Sequence, residues 1–247
     1  MTREKRLADS DWWSSSTAAH LVPQEALYRL MIWLSPAYPV GAFSYSSGIE
    51  WAVESGDITD AETLRDWIEV TLTAGAGIND GIFFSQTHRA VTGDDDVAIV
   101  KTAELAAAFA PTRERHYETT TLGRAFLEVT RVAWPCAALT KLQTVWTGSV
   151  AYPVAVGAAC AGHGLPLAPA VHGFLTALCS NWISAGVRLI PLGHTDSQRV
   201  LKALEPSVLA TVKRALEARL DDLSSATFRA DIASARHETQ YTRLFRS

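Results

Sequence analysis

Apolar residues recur along most of this chain at three- and four-residue intervals, which predicts helices rather than strands. Ala26, Leu27, Leu30, Met31 and Leu34 share one helical face, and Pro36 closes that pattern. Leu64, Trp67, Ile68, Thr71 and Leu72 form the next stripe, stopped near Gly75 and Gly77. Further helices are expected over residues 79–91, over 97–110 with Leu105 and Phe109 inward, and over 112–132 with Leu122, Ala125, Phe126 and Val129 inward. Pro135 and Pro153 punctuate two more helical stretches. Residues 170–190, carrying Phe174, Leu175, Leu178, Trp182 and Ile183, have the apolar density of a central helix. Two amphipathic helices, 200–204 and 208–220, are split near Pro206. Capping-box spacing occurs at Ser47 with Glu50 and at Thr59 with Glu62. No run alternates with period two as strands would. The expectation is an all-α single globular bundle of about ten helices over residues 25–247. Residues 1–24 are expected as a mobile N-terminal tail and 222–247 as a flexible C-terminal one.

The segment 35–56, SPAYPVGAFSYSSGIEWAVESG, interrupts this pattern. Pro36 and Pro39 lack the backbone donor and restrict the residues before them. Gly41, Gly48 and Gly56 admit left-handed turns. Val40, Phe43, Tyr45 and Ile49 are too apolar for a solvated loop. These residues fit either a buried helix-to-helix connection or a structured loop that carries function.

Composition narrows the function classes. The 247 residues are 48% hydrophobic, and 22 basic against 26 acidic side chains give a net charge of −4. There is no basic excess for nucleic acid or an anionic membrane. No apolar run reaches the roughly 20 residues that span a bilayer. The charged start has no signal-peptide core. Cys136, Cys160 and Cys179 are odd in number and sit among apolar neighbours, as reduced cysteines of a cytoplasmic protein do. The seven histidines form no HExxH or paired ligand set, and no phosphate-binding, dinucleotide-binding or GxSxG motif occurs. Cys160 and His163 have possible metal-ligand spacing but lack two further ligands. Asp94, Asp95 and Asp96 read as a solvated loop or a helix start. No catalytic residue, cofactor-binding residue or metal ligand is assigned.

Two segments exceed what an inert globule needs. In GVRLIPLGHTDSQ, residues 186–198, Arg188 lies in the last turn of the most apolar helix. It can serve that helix's terminal carbonyls, or it can face a partner together with Pro191 and Gln198. In ARHETQYTRLFRS, residues 235–247, His237, Glu238, Arg243 and Arg246 interleave with Tyr241, Leu244 and Phe245. Arg, Tyr and Phe are enriched at interface centres, and a polar segment with such anchors suits folding upon binding.

Together these three segments, in this order, resemble the urease accessory protein UreF family from about Leu27 to the last residue. Residues 97–170 share only its pattern, and Ser47, Ile49 and His194 depart from its usual residues. The resemblance implies an all-α, non-enzymatic protein that binds UreD (UreH in some organisms) and forms a platform for the GTPase UreG. The assembly would act on urease apoprotein, with nickel entering as GTP is hydrolysed, and the family typically forms a homodimer within it. The expected contact residues are Pro39, Gly41, Phe43, Tyr45, Glu50, Arg188, Pro191, Gln198, His237, Glu238, Tyr241, Arg243, Leu244, Phe245 and Arg246. The tail is assigned to UreD, and the loop with Arg188 to UreG or to self-association. Arg113, Arg188 and Arg243 cannot be ranked as a GTPase-stimulating arginine. The alternatives are a helical nickel carrier using Cys160, His163, His172 or His237, and a hydrolase whose catalytic residues are dispersed.

Overall fold

A computed structural model describes residues 23–247, in which twelve α-helices and two short 3-10 turns account for all regular structure. The expected N-terminal tail lies outside these residues except for its last two. The helices are α1 (Gln24–Trp33), α2 (Ile49–Glu54), α3 (Ala61–Ala74), α4 (Ala76–Thr92), α5 (Asp96–Ala108), α6 (Arg113–Ala133), α7 (Ala137–Val145), α8 (Tyr152–Gly162), α9 (Leu167–Leu189), α10 (His194–Ala203), α11 (Glu205–Glu217) and α12 (Phe228–His237). The all-helical class read from the periodicity holds.

Helix α8 is central because it has no polar face. Every residue from Pro153 to Cys160 is buried. Its small side chains let α4 approach closely, and a Cβ at Gly157 would stand 2.8 Å from the Phe84 carbonyl oxygen. Around the α4–α8 pair, α6 and α7 cover α8, while α3, α5, α9 and α11 cover α4. Phe84, Phe174, Tyr152, Phe126 and Trp33 form a chain of ring contacts through this core. No helix of the described residues is long and apolar enough to cross a membrane.

Several local expectations shift. The inward face of α1 is Ala26, Leu30 and Trp33, whereas Leu27 and Met31 are exposed. Neighbouring residues stand about 100° apart on a helix, so Leu27 cannot share Ala26's side of a narrow contact. The capping box at the start of α3 is Asp60 with Thr63: the Asp60 carboxylate accepts from the Thr63 amide (2.9 Å), and the Thr63 hydroxyl accepts from the Asp60 amide (3.0 Å). Gly75 separates α3 from α4 without a loop, so α4 begins at Ala76 rather than at residue 79. Among the three aspartates, Asp95 caps α5, while Asp94 and Asp96 bracket Lys141 at 2.5 and 2.7 Å.

The last ten residues are not helical and most are exposed, yet the chain end is anchored. Phe245 is 4% exposed and Ser247 is fully buried. The end of the C-terminal segment lies against the body, with the Arg246 amide paired to Ser44 of the loop that follows α1 and the Leu244 and Phe245 amides paired to the Glu50 carboxylate of α2.

Candidate functional site

The segment between α1 and α2 folds as consecutive tight turns. Gly41 (φ +79°) starts a 3-10 turn over Ala42–Ser44, and Gly48 (φ +85°) starts α2. Ser47 is also left-handed, at φ +55°. Gly48 is doubly constrained, because a Cβ there would lie 2.9 Å from the Ser234 amide of α12. Contact with α12 thus fixes the residue at this turn.

The sequence spacing that suggests a Ser47/Glu50 capping box has another use. Neither side chain caps α2. Ser47 instead donates to Glu118 (2.9 Å) and accepts from Arg115 (2.6 Å) and the Trp182 indole (3.0 Å). Glu50 points toward the chain end. Its carboxylate accepts from the Leu244 amide (2.6 Å), the Phe245 amide (2.9 Å) and His237 Nε2 (2.8 Å). The positive φ at Ser47 and Gly48 moves the backbone off helical geometry, which frees both side chains for these long-range contacts.

His237 is fully buried between two carboxylates, with Nδ1 2.7 Å from Glu114 and Nε2 2.8 Å from Glu50. Each ring nitrogen thus has a carboxylate oxygen within hydrogen-bond distance. Burial raises the pKa of Glu114, opposed by His237 and then by Arg243, which stands 3.3 Å away. One turn along α6, Glu118 binds Arg115 (2.7 Å) and accepts from the Ser247 hydroxyl (2.6 Å). Main-chain pairing completes the docking: Ser46 N donates to the Ser247 oxygen (2.8 Å), and Arg246 N donates to the Ser44 oxygen (2.8 Å). Arg188 bridges the two segments. It donates to the Phe43 carbonyl (2.5 Å), and its guanidinium lies 4.1 Å from the Phe245 ring centroid.

The structure therefore brings together Phe43, Tyr45, Glu50, Arg188, His237, Arg243, Leu244, Phe245 and Arg246. Arg188 is not merely a helix-terminal cation. The expected anchors divide: Phe245 and Tyr45 are buried, Phe43 and Leu244 are exposed, and Tyr241, outside this group, is fully exposed. Pro39 is exposed beside the loop, and Glu238 pairs with the exposed Arg113 at 3.0 Å. Pro191 and Gln198 are exposed elsewhere, Gln198 in a groove with His172 and Lys202. Glu114, Arg115 and Glu118 belong to the site but were not among the expected contact residues. Their signal was present in the sequence: positions 114, 118, 122 and 126 make one i, i+4 row on α6, with two acids preceding Leu122 and Phe126. Acids on a core-facing row need buried partners.

The proposed carrier residues do not form a metal site. Cys160 is sealed in α8, and burial pushes its thiol pKa up. His163 contacts Arg29 and the Trp134 carbonyl, each at 3.0 Å. Among the described residues no three His, Cys, Asp or Glu side chains are grouped to hold a metal ion.

The family model described as UreF matches residues 58–205. The "Urease accessory protein UreF" of Rhodopseudomonas palustris strain BisB5 is 60% identical over 235 residues, covering 94% of this chain and 97% of that protein. The protein of the same name from Bradyrhizobium sp. strain ORS 278 is 62% identical over 222 residues, covering 90% of this chain and 92% of that protein. The chain belongs to the UreF family.

Proposed function

We propose that this protein is a cytoplasmic, non-catalytic urease accessory protein, acting as a scaffold in assembly of the nickel centre of urease. The observation that carries this reading is the joined surface of loop and C-terminal segment. Its backbone is fixed by a buried charge network, and its outer face presents Phe43, Tyr241 and Leu244. Ordered aromatic and aliphatic anchors beside arginines are what a protein partner engages. The names of the relatives support a role in urease maturation.

In this reading residues 222–247 contact UreD (UreH), with Tyr241 and Leu244 as outward anchors and Phe245 holding the segment in place. The loop with Phe43 and Arg188 contributes to the UreG surface or to a homodimer within the complex. Through that surface the protein modulates GTP hydrolysis by UreG, and urease apoprotein receives the nickel, which is cargo of the whole assembly.

Phe43→Ala tests the loop assignment. Phe43 is 67% exposed, so its removal should leave the melting temperature almost unchanged. Loss of an anchor costs about 2 kcal/mol or more, which corresponds to about thirtyfold weaker UreG recruitment or self-association. Unchanged recruitment and unchanged self-association, measured by size-exclusion chromatography with light scattering, would remove the loop from the contact surface.

A further inference from the structure

We propose that the cavity beneath α12 is a binding site for a compact organic ammonium ion, held by Asp80 and Asp231. This goes beyond the scaffold role and does not depend on it.

The cavity, about 140 Å³, lies between α4, the α5–α6 junction and α12. Its walls include Asp80, Phe83, Phe109, Pro111, Arg115 and Asp231. Asp80 lies deep in the protein but is partly exposed to the cavity; it is acted on by burial and by the charges of Arg115 and Glu118, with no hydrogen bond among the described residues. Asp231 lines the same cavity from α12 and is influenced by burial and by Arg115. Arg115 is already committed to Glu118 (2.7 Å) and Ser47 (2.6 Å). Two carboxylates therefore face the cavity with one guanidinium that Glu118 already neutralises. A carboxylate drawn partly out of water without a partner is unfavourable unless it takes a proton or a cation. Burial raises Asp80 to about 7, so near neutral pH either solution is within reach.

The remaining walls select the kind of cation. Phe83 and Phe109 meet edge to face, with centroids 5.8 Å apart, and Pro111 adds a third apolar surface. Such walls favour a carbon body, and aromatic faces attract an ammonium. A cavity of this size accommodates a guest of about six heavy atoms. A divalent metal is disfavoured because no third ligand joins the pair and Arg115 stands beside them. An anion would meet two carboxylates.

Isothermal titration of the full chain with n-butylammonium chloride tests the site, with n-butanol, sodium chloride at matched ionic strength, and nickel chloride as comparison probes. Expected is saturable one-to-one binding of n-butylammonium at pH 8 and none of n-butanol. Affinity should fall about tenfold at pH 6, as the ionised fraction of a group with a pKa of about 7 drops from roughly nine-tenths to one-tenth. Asp80→Asn should abolish binding while retaining the helical circular dichroism spectrum. Should that variant not fold, Asp231→Asn decides, with at least tenfold weaker binding expected. Absence of saturable binding, equal binding of n-butanol, undiminished binding in the decisive variant, or one-to-one nickel binding at Asp80 instead would each overturn the proposal.

Discussion

Replacing Glu50 with alanine is expected to unfasten residues 244–247 from the body and to lower stability by about 3–5 kcal/mol. One carboxylate holds three donors, two of them main-chain amides and the third a fully buried imidazole. Truncation leaves all three donors without that acceptor, and a buried donor left unpaired costs about 1–3 kcal/mol. It also leaves Glu114 as the sole carboxylate on His237. The effect should be local first. Amide hydrogen exchange at residues 244–247 should lose its protection, while α4 and α8 keep theirs. Glu50→Gln retains one acceptor oxygen without the charge and should fall between the two. Undiminished protection at residues 244–247 in Glu50→Ala would show that Arg188 stacking and Ser46 pairing hold the segment without the carboxylate.

The second large effect concerns Asp80, and it is read from the pH dependence of stability. Its folded pKa lies near 7, raised by burial from an ordinary value of 3.8. The folded state therefore binds the proton more tightly than the unfolded state. This group's contribution is most favourable at low pH and is lost as pH rises from about 4 through 7. The loss is on the order of 4 kcal/mol by about pH 8. Asp80→Asn keeps the shape and removes the titration. Without added amine, the variant should gain stability over the parent between pH 4 and pH 8 by that order. Other carboxylates titrate in both proteins and cancel in the difference. Parallel pH profiles, followed by chemical denaturation, would mean that Asp80 is stabilised as the carboxylate.

The helices were legible because their apolar stripes are long and punctuated. Residues 112–132 and 170–190 anticipate α6 and α9 to within three residues at each end. Boundaries failed where glycine permits helix to follow helix directly, as at Gly75 between α3 and α4. The loop after α1 was legible as structured, since its prolines and glycines exclude regular elements while its aromatics demand burial. The buried charge network was not. Glu50, Glu114 and His237 are separated by 64 to 187 positions in sequence, and local periodicity carries no information on such pairings. The docking of the C-terminal segment was illegible for the same reason: its partners are Ser44, Ser46, Glu50 and Glu118, all far upstream. What the sequence did show was the residue types, with arginines and aromatics in a stretch lacking its own core.

The central claim is that loop and C-terminal segment form one contact surface on which assembly depends. Size-exclusion chromatography with light scattering, on the full chain and on a chain lacking residues 243–247, each mixed with UreD, tests it most directly. The full chain should co-elute with UreD, and the shortened chain should not, while its far-ultraviolet circular dichroism stays that of a helical protein. Co-elution of the shortened chain with UreD would contradict the account.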